Sequence, residues 1–321
     1  MSTRTAAMAR FFFLVHNRNH VRLFAPVAQG LREAGQGVQF VHLQEIQKRP
    51  GAAPGVLRDM GLPAIPVSQL FETLSVGATV IVGNDWSPRP LKDIVLRARV
   101  AGARLVGIVE GCRFGMPPRY RLVDQVLAWG PSSSEQMKRE VDVVGSPAIE
   151  RAANDRSWFE EPPFAAINDK FAYAFEGIEH KHDWLSDVLA ACRQADIAAA
   201  LSQHPGNPEA PPGVWFSDID DLLRRTSVLI SRSSTVVYEA LARGKPVVLY
   251  PHPGEKLCEF GAPMGAFEIA GGAPELPAMI QRALRRIPEQ ASLGARFLAR
   301  HVEIGPNGQA TQRIVARLLG A

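Results

Sequence analysis

Cysteine is scarce in this chain of 321 residues. Cys112, Cys192 and Cys258 make an odd set of three with no metal-ligand spacing. A disulfide framework and a zinc cluster are therefore not what organises the fold, and the expected setting is a reducing, cytoplasmic compartment. Long apolar runs are missing too, and none approaches the roughly 20 residues that a membrane-spanning helix needs. The block Phe11–Val15 is too short for the core of a signal peptide and lacks a small-residue cleavage site, so it reads as a first buried strand. There is no short tandem repeat and no low-complexity segment. Strong charge is also lacking: the net value is +4. Such a mild, dispersed excess suits an anionic substrate or an anionic membrane surface and gives no argument for a nucleic-acid partner.

What is present describes a globular protein, with 46% hydrophobic and 21% charged residues. The length exceeds one comfortable core, so two domains are expected, 1–150 and 151–321. Strands alternate with helices in both. After Phe11–Val15 comes a polar loop, His16-Asn-Arg-Asn-His20, then a helix over 21–34 with Leu23, Val27 and Leu31 at helical spacing, then a strand over 38–43. Further strands are expected at 79–82, 104–109, 126–129 and 141–144. A helical linker over 148–164 should end the first half, and the second should open with a strand at 171–175 and continue with strands at 197–201, 214–216 and 228–230. This alternation predicts parallel, doubly wound sheets.

One stretch, 227–250, concentrates the most information. Val228–Ile230 is a strand, Ser231-Arg-Ser-Ser-Thr235 a hydroxyl-rich turn, Val236–Leu241 a helix stopped by Gly244 and Pro246, and a second strand follows. Unpaired backbone N–H groups at a helix start and serine hydroxyls beside them suit a phosphate. An ordinary Ser/Thr cap is the plain alternative.

Open α/β sheets bind ligands at the carboxyl ends of their strands. Three elements fall there: Glu110-Gly111, His204-Pro205 and Ser233-Ser234-Thr235. A carboxylate can take a proton from an attacking hydroxyl, while a histidine and hydroxyls hold a leaving phosphate. His16, His20, Arg18 and Asn84 also follow strands of the first domain and are candidate contacts to acceptor or donor. Gly177, after a strand of the second, lets a ligand approach the backbone.

In this order, the carboxylate-Gly, His-Pro and Ser-Ser/Thr elements resemble those of bacterial GT-B glycosyltransferases that use CMP-activated sugars, the sialyltransferases and Kdo transferases of capsule and lipopolysaccharide assembly. The resemblance implies two facing Rossmann-like domains, the first on the acceptor side and the second binding the nucleotide-sugar. It also implies Glu110 as general base, His204 as partner of the leaving group, and Ser233 and Ser234 as phosphate donors. Val109 departs from the paired acidic residues of the sialyltransferase motif. The helix after the phosphate turn resembles the nucleotide-binding half of GT-B enzymes generally, where a glutamate at the position of Glu239 holds the ribose hydroxyls. The expected enzyme needs no cofactor and no metal, and transfers Kdo or a sialic-acid-like sugar from a CMP donor to a surface glycan or lipid-linked glycan, with room for peripheral contact at the inner membrane. Two other readings stay open: a UDP-sugar transferase or UDP-sugar 2-epimerase, and a non-enzymatic glycan-assembly scaffold of the same fold.

Overall fold

Phe11–Val15 forms β1, and all five residues are buried. Apolar side chains without polar alternation are what a parallel strand covered on both faces requires. The computed structural model describes residues 10–46, 53–85, 89–111, 120–168, 181–202, 215–216 and 218–320. They divide into two compact units, each built on its own parallel sheet: 10–110, 120–147 and 308–320 in the first, and 148–307 with Gly111 in the second.

In the first unit, β1 leads into α1 (Arg18–Glu33), β2 (Val38–His42), α2 (Ala53–Asp59), β3 (Ala64–Pro66) and α3 (Leu70–Thr73). There follow β4 (Thr79–Val82), α4 (Leu91–Val100), β5 (Arg104–Ile108), β6 (Gln125–Ala128), α5 (Ser132–Met137) and β7 (Asp142–Val143). The strand order is β3-β2-β1-β4-β5-β6-β7. Phe11 pairs with both Val38 and Thr79, so β1 lies between β2 and β4. From β1 the chain winds outward one way to β2 and β3. It then returns to the other side of β1 with β4, and the loops after β1 and β4 part there and leave a crevice.

The helix expected from residue 21 begins at Arg18. Asn17 is its N-cap, accepting from the His20 backbone N–H at 2.7 Å. This earlier start moves His20 out of the loop and onto the buried face of α1, with Val21, Phe24, Val27, Ala28 and Leu31.

The second unit begins with α6 (Pro147–Asn154), whose first residue belongs to the first unit, and its opening strand is β8 (Phe164–Asn168). That strand lies earlier than the one expected at 171–175, and those residues fall outside the described ones. Pro162 and Pro163 made the segment read as linker, yet two prolines just before a strand cost no sheet hydrogen bond. The run Phe164-Ala-Ala-Ile167 is then buried throughout. Next come α7 (Lys181–Gln194), β9 (Ala198–Ser202), β10 (Trp215–Phe216), α8 (Ile219–Arg225), β11 (Val228–Ser231), α9 (Val236–Ala242), β12 (Val247–Leu249), β13 (Glu268–Ile269), α10 (Leu276–Arg285) and α11 (Ile287–His301). The order β10-β9-β8-β11-β12-β13 repeats the winding of the first sheet. Its crevice falls after β8 and β11, which places the 231–235 turn at the switch point.

The last helix, α12 (Gln309–Leu319), belongs to the first unit rather than the second. Ile314 and Leu318 enter the core beside Val27 and Leu31 of α1. Gly30 makes room for this packing, since a Cβ there would meet the Val315 Cγ2 at 2.9 Å.

Candidate functional site

Two constellations occupy the two switch points. In the first unit the chain leaves β1 through His16 and Asn17, leaves β4 through Gly83–Asp85, and leaves β5 through Val109 and Glu110. His20 Nε2 donates to Glu110 Oε2 at 2.7 Å, and Asn17 Nδ2 donates to Oε1 at 3.3 Å. Asn17 Nδ2 also lies 3.1 Å from His16 Nε2, and the His16 and His20 rings meet edge to face at 4.2 Å. His20 is 1% exposed and Glu110 24%, so the carboxylate is the reachable member of the pair.

The electrostatics follow from this packing. Burial alone would push the Glu110 carboxyl up, but the charge and hydrogen bond of His20, with help from His16 and Asn17, hold it below its ordinary value of 4.5. Glu110 is therefore ionised at neutral pH. Burial, and then the positive charge of His20, lower His16 to about 3, with Glu110 opposing. His16 is thus a neutral imidazole that can accept from Asn17.

Gly83 makes the pair possible. A Cβ at this position would lie 2.3 Å from His20 Nε2, so the β4 exit must be bare backbone for the imidazole to reach Glu110. Asp85 is occupied elsewhere. Its two oxygens accept from the Tyr120 and Leu122 backbone N–H groups at 2.9 and 2.7 Å, and the Tyr120 hydroxyl donates to the Gly83 carbonyl at 2.5 Å. Asn84 is buried beside it at 5% exposure, and Arg18 is exposed on the first turn of α1. The structure thus brings Glu110 together with His16 but leaves Arg18 outside the cluster.

In the second unit the turn after β11 is fixed by side chains from the loop after β12. Arg232 Nε donates to Glu255 Oε2 at 2.7 Å, and both side chains are fully buried. The Ser233 hydroxyl donates to the other oxygen, Glu255 Oε1. At the front of the turn Asn168 Nδ2 donates to the Ser231 hydroxyl at 3.0 Å, which in turn donates to the Arg232 carbonyl at 2.8 Å. Ser233, expected as a phosphate donor, thus has its hydroxyl on a carboxylate in the interior. Ser234 and Thr235 are partly exposed, as is Glu239 in the first turn of α9. Gly244, at φ 70°, ends that helix in the left-handed conformation.

His204, Pro205 and Gly177 lie outside the described residues. The sequence places Asn17 and Arg232 in the strand-end loops and Glu255 in a loop near the expected nucleotide base, but gives none of their contacts, assigns nothing to Gly83, and makes His20 only a loop contact. An Asn three residues before a buried His is a cap signal that could have found the start of α1. Nothing local ties Glu255 to Ser233, because the parallel pairing of β11 with β12, Ser231 against Leu249, brings them together. The expectation of no metal took an Asp-x-Asp motif to be missing, yet Asp218-Ile219-Asp220 is one. Asp218 caps α8 by accepting from the Asp220 N–H at 2.9 Å, and Asp220 lies 3.4 Å from Arg243. Among the described residues no group of three His, Cys, Asp or Glu side chains is arranged to hold a metal, and no helix is long and apolar enough to cross a membrane.

No family model and no curated protein matches the chain by sequence. Solved structures do match its fold. A UDP-GlcNAc 2-epimerase from Methanocaldococcus jannaschii in complex with UDP-GlcNAc and UDP superposes with a TM-score of 0.67 at 11% identity, covering 97% of this chain and 99% of that one. Anabaena Alr3699/HepE in complex with UDP and glucose gives 0.61 at 14%, covering 98% and 100%. MurG from Acinetobacter baumannii gives 0.60 at 13%, again covering 98% and 100%. The fold is that of the GT-B glycosyltransferases and the UDP-sugar epimerases, with two parallel α/β sheets.

Proposed function

We propose that the protein is a GT-B enzyme acting on a UDP-activated sugar, with glycosyl transfer as its reaction. The observation that carries the catalytic half is the Glu110–His20 pair. Glu110 is ionised, held at both oxygens by His20 and Asn17, and still 24% exposed, which is what a general base toward an acceptor hydroxyl requires. His20 receives no substrate at 1% exposure. Its role is to fix the carboxylate and stabilise the charged form.

In the second unit, Ser234 and Thr235 on the 231–235 turn supply hydroxyls to the donor phosphates, and Glu239 accepts the ribose hydroxyls. Ser233 acts indirectly, through Glu255. His204 keeps its proposed place beside the leaving phosphate, with Pro205 next to it and Gly177 at the nucleotide. The UDP found in the epimerase and HepE structures favours UDP over the CMP expected from the motif resemblance. A glycan or lipid-linked glycan remains the proposed acceptor, and a bacterial surface polymer the proposed product.

The second reading is a UDP-sugar 2-epimerase. Two imidazoles and a carboxylate gathered at one crevice favour it, because proton transfer at a sugar carbon uses more than one acid–base group. Incubation with UDP-GlcNAc and CMP-sugars in D2O, followed by NMR, tests both readings. Release of UDP with an added acceptor supports transfer. Deuterium at C2 with a new epimer supports the second reading, and release of CMP alone returns the donor to the CMP class. No turnover of either nucleotide sugar contradicts the proposal.

A further inference from the structure

Among the described residues, the buried pair Arg232–Glu255 is unlike the other salt bridges, which leave at least one partner partly in water. Both of its side chains are 0% exposed, although burying two charges is costly unless the geometry is well satisfied. Here it is. Glu255 Oε2 accepts from Arg232 Nε at 2.7 Å and from the His252 backbone N–H at 3.3 Å, and Oε1 accepts from the Ser233 hydroxyl. The Glu255 N–H also closes onto the His252 carbonyl at 2.9 Å. One carboxylate thus joins two adjacent residues of the β11 exit turn to the loop over 251–255 at the β12 exit.

A carboxylate is a poor neighbour for a phosphate unless its charge is cancelled, and Arg232 cancels it. What Glu255 then contributes is geometry. It holds Arg232 and Ser233 from below, which sets the direction in which the next two residues, Ser234 and Thr235, present their hydroxyls.

We propose that Glu255 is the positioning residue of the nucleotide seat, locking the turn into the conformation that receives the diphosphate of a nucleoside diphosphate while leaving nucleoside recognition to other groups. This rests on the nucleotide-sugar reading of the second unit. It explains why the turn carries more serines than a helix cap needs: Ser233 serves the lock, and its neighbours serve the ligand.

The test compares UDP with uridine, which lacks the phosphates. Calorimetric affinities for both would be measured on the wild type, on Glu255→Gln, and on Ser233→Ala, which removes one hydrogen bond of the lock and keeps the ion pair. Loss of one charge-assisted hydrogen bond corresponds to about tenfold in affinity. The expected result is UDP binding weakened about tenfold in Ser233→Ala and more in Glu255→Gln, with uridine binding within about twofold of the wild type. Equal weakening of UDP and uridine would show that Glu255 only maintains the fold and would overturn the proposal. Unchanged UDP binding in Ser233→Ala would overturn it as well, even if Glu255→Gln does not fold. A wild-type protein that binds neither UDP nor CMP would instead remove the nucleotide reading, and this proposal with it.

Discussion

The two sheets share a strand order and differ in what they place at the switch point. In the first unit the crevice gathers titratable groups, His16, His20 and Glu110, around one partly exposed carboxylate. In the second the charged pair is sealed under the turn and hydroxyls remain near the surface. One topology therefore carries two sets of groups, and on the proposed reading they serve proton transfer in one unit and anion recognition in the other. The strand order sets where the two crevices fall, and a handful of loop side chains set what lines them.

That contrast can be broken first at Glu110. Glu110→Gln keeps the shape and removes the proposed base, so turnover should fall by roughly 100- to 10,000-fold while UDP affinity stays unchanged; steady-state kinetics beside calorimetry measure both. Gly83→Ala attacks the same site through sterics. Its Cβ would drive into His20, whose ring packs between those of His16 and Phe24, separating the imidazole from Glu110. A loss of turnover of about 100-fold is expected, with destabilisation of about 1–3 kcal/mol, read by activity and by denaturant unfolding.

His20→Gln sharpens the electrostatic part of the account. A general base works only when ionised, so on the proposed reading activity should be lost as pH falls through the folded pKa of Glu110, which His20 helps hold below 4.5. Without the imidazole, burial is opposed less and the carboxyl rises, so the acid limb of the kcat/KM profile should move to higher pH. In the second unit, Glu239→Ala should weaken UDP about tenfold and leave the pH profile of turnover unaltered, as expected for loss of a ribose contact.

The smallest effect concerns stability. His301, packed 4.5 Å from the Phe297 ring, is lowered to about 4 by burial and the nearby Arg300 charge. A histidine depressed in the folded state contributes stability that is fully present above its unfolded pKa near 6.5 and is lost as pH falls from there toward 4. His16 acts in the same sense. His301→Phe should therefore make the decline of Tm between pH 6.5 and 4 shallower by a few degrees, measured by thermal unfolding across that range.

Much of the fold could be read from the chain because its strands are buried on both faces and announce themselves as apolar runs. The strands at 11–15, 79–82 and 228–230 were legible for that reason, and so was the Gly244 stop after α9. The strand at 164–168 was not, because two of its five residues are alanine and two prolines precede it. At the candidate site, the placement of Glu110 directly after a strand was legible. Contacts between residues distant in sequence were illegible, as with Gly83 against His20 or Glu255 against Ser233. Those pairs exist only after parallel strands have set loop against loop, and no local pattern encodes them.

The most direct test of the division of labour is to measure UDP affinity and sugar turnover on the same two variants, Glu110→Gln and Glu239→Ala. The account predicts a crossed result: Glu110→Gln binds UDP as the wild type does and turns over almost nothing, while Glu239→Ala binds UDP about tenfold more weakly and recovers turnover at saturating donor. Wild-type turnover in Glu110→Gln, or an equal loss of UDP affinity in both variants, would contradict it.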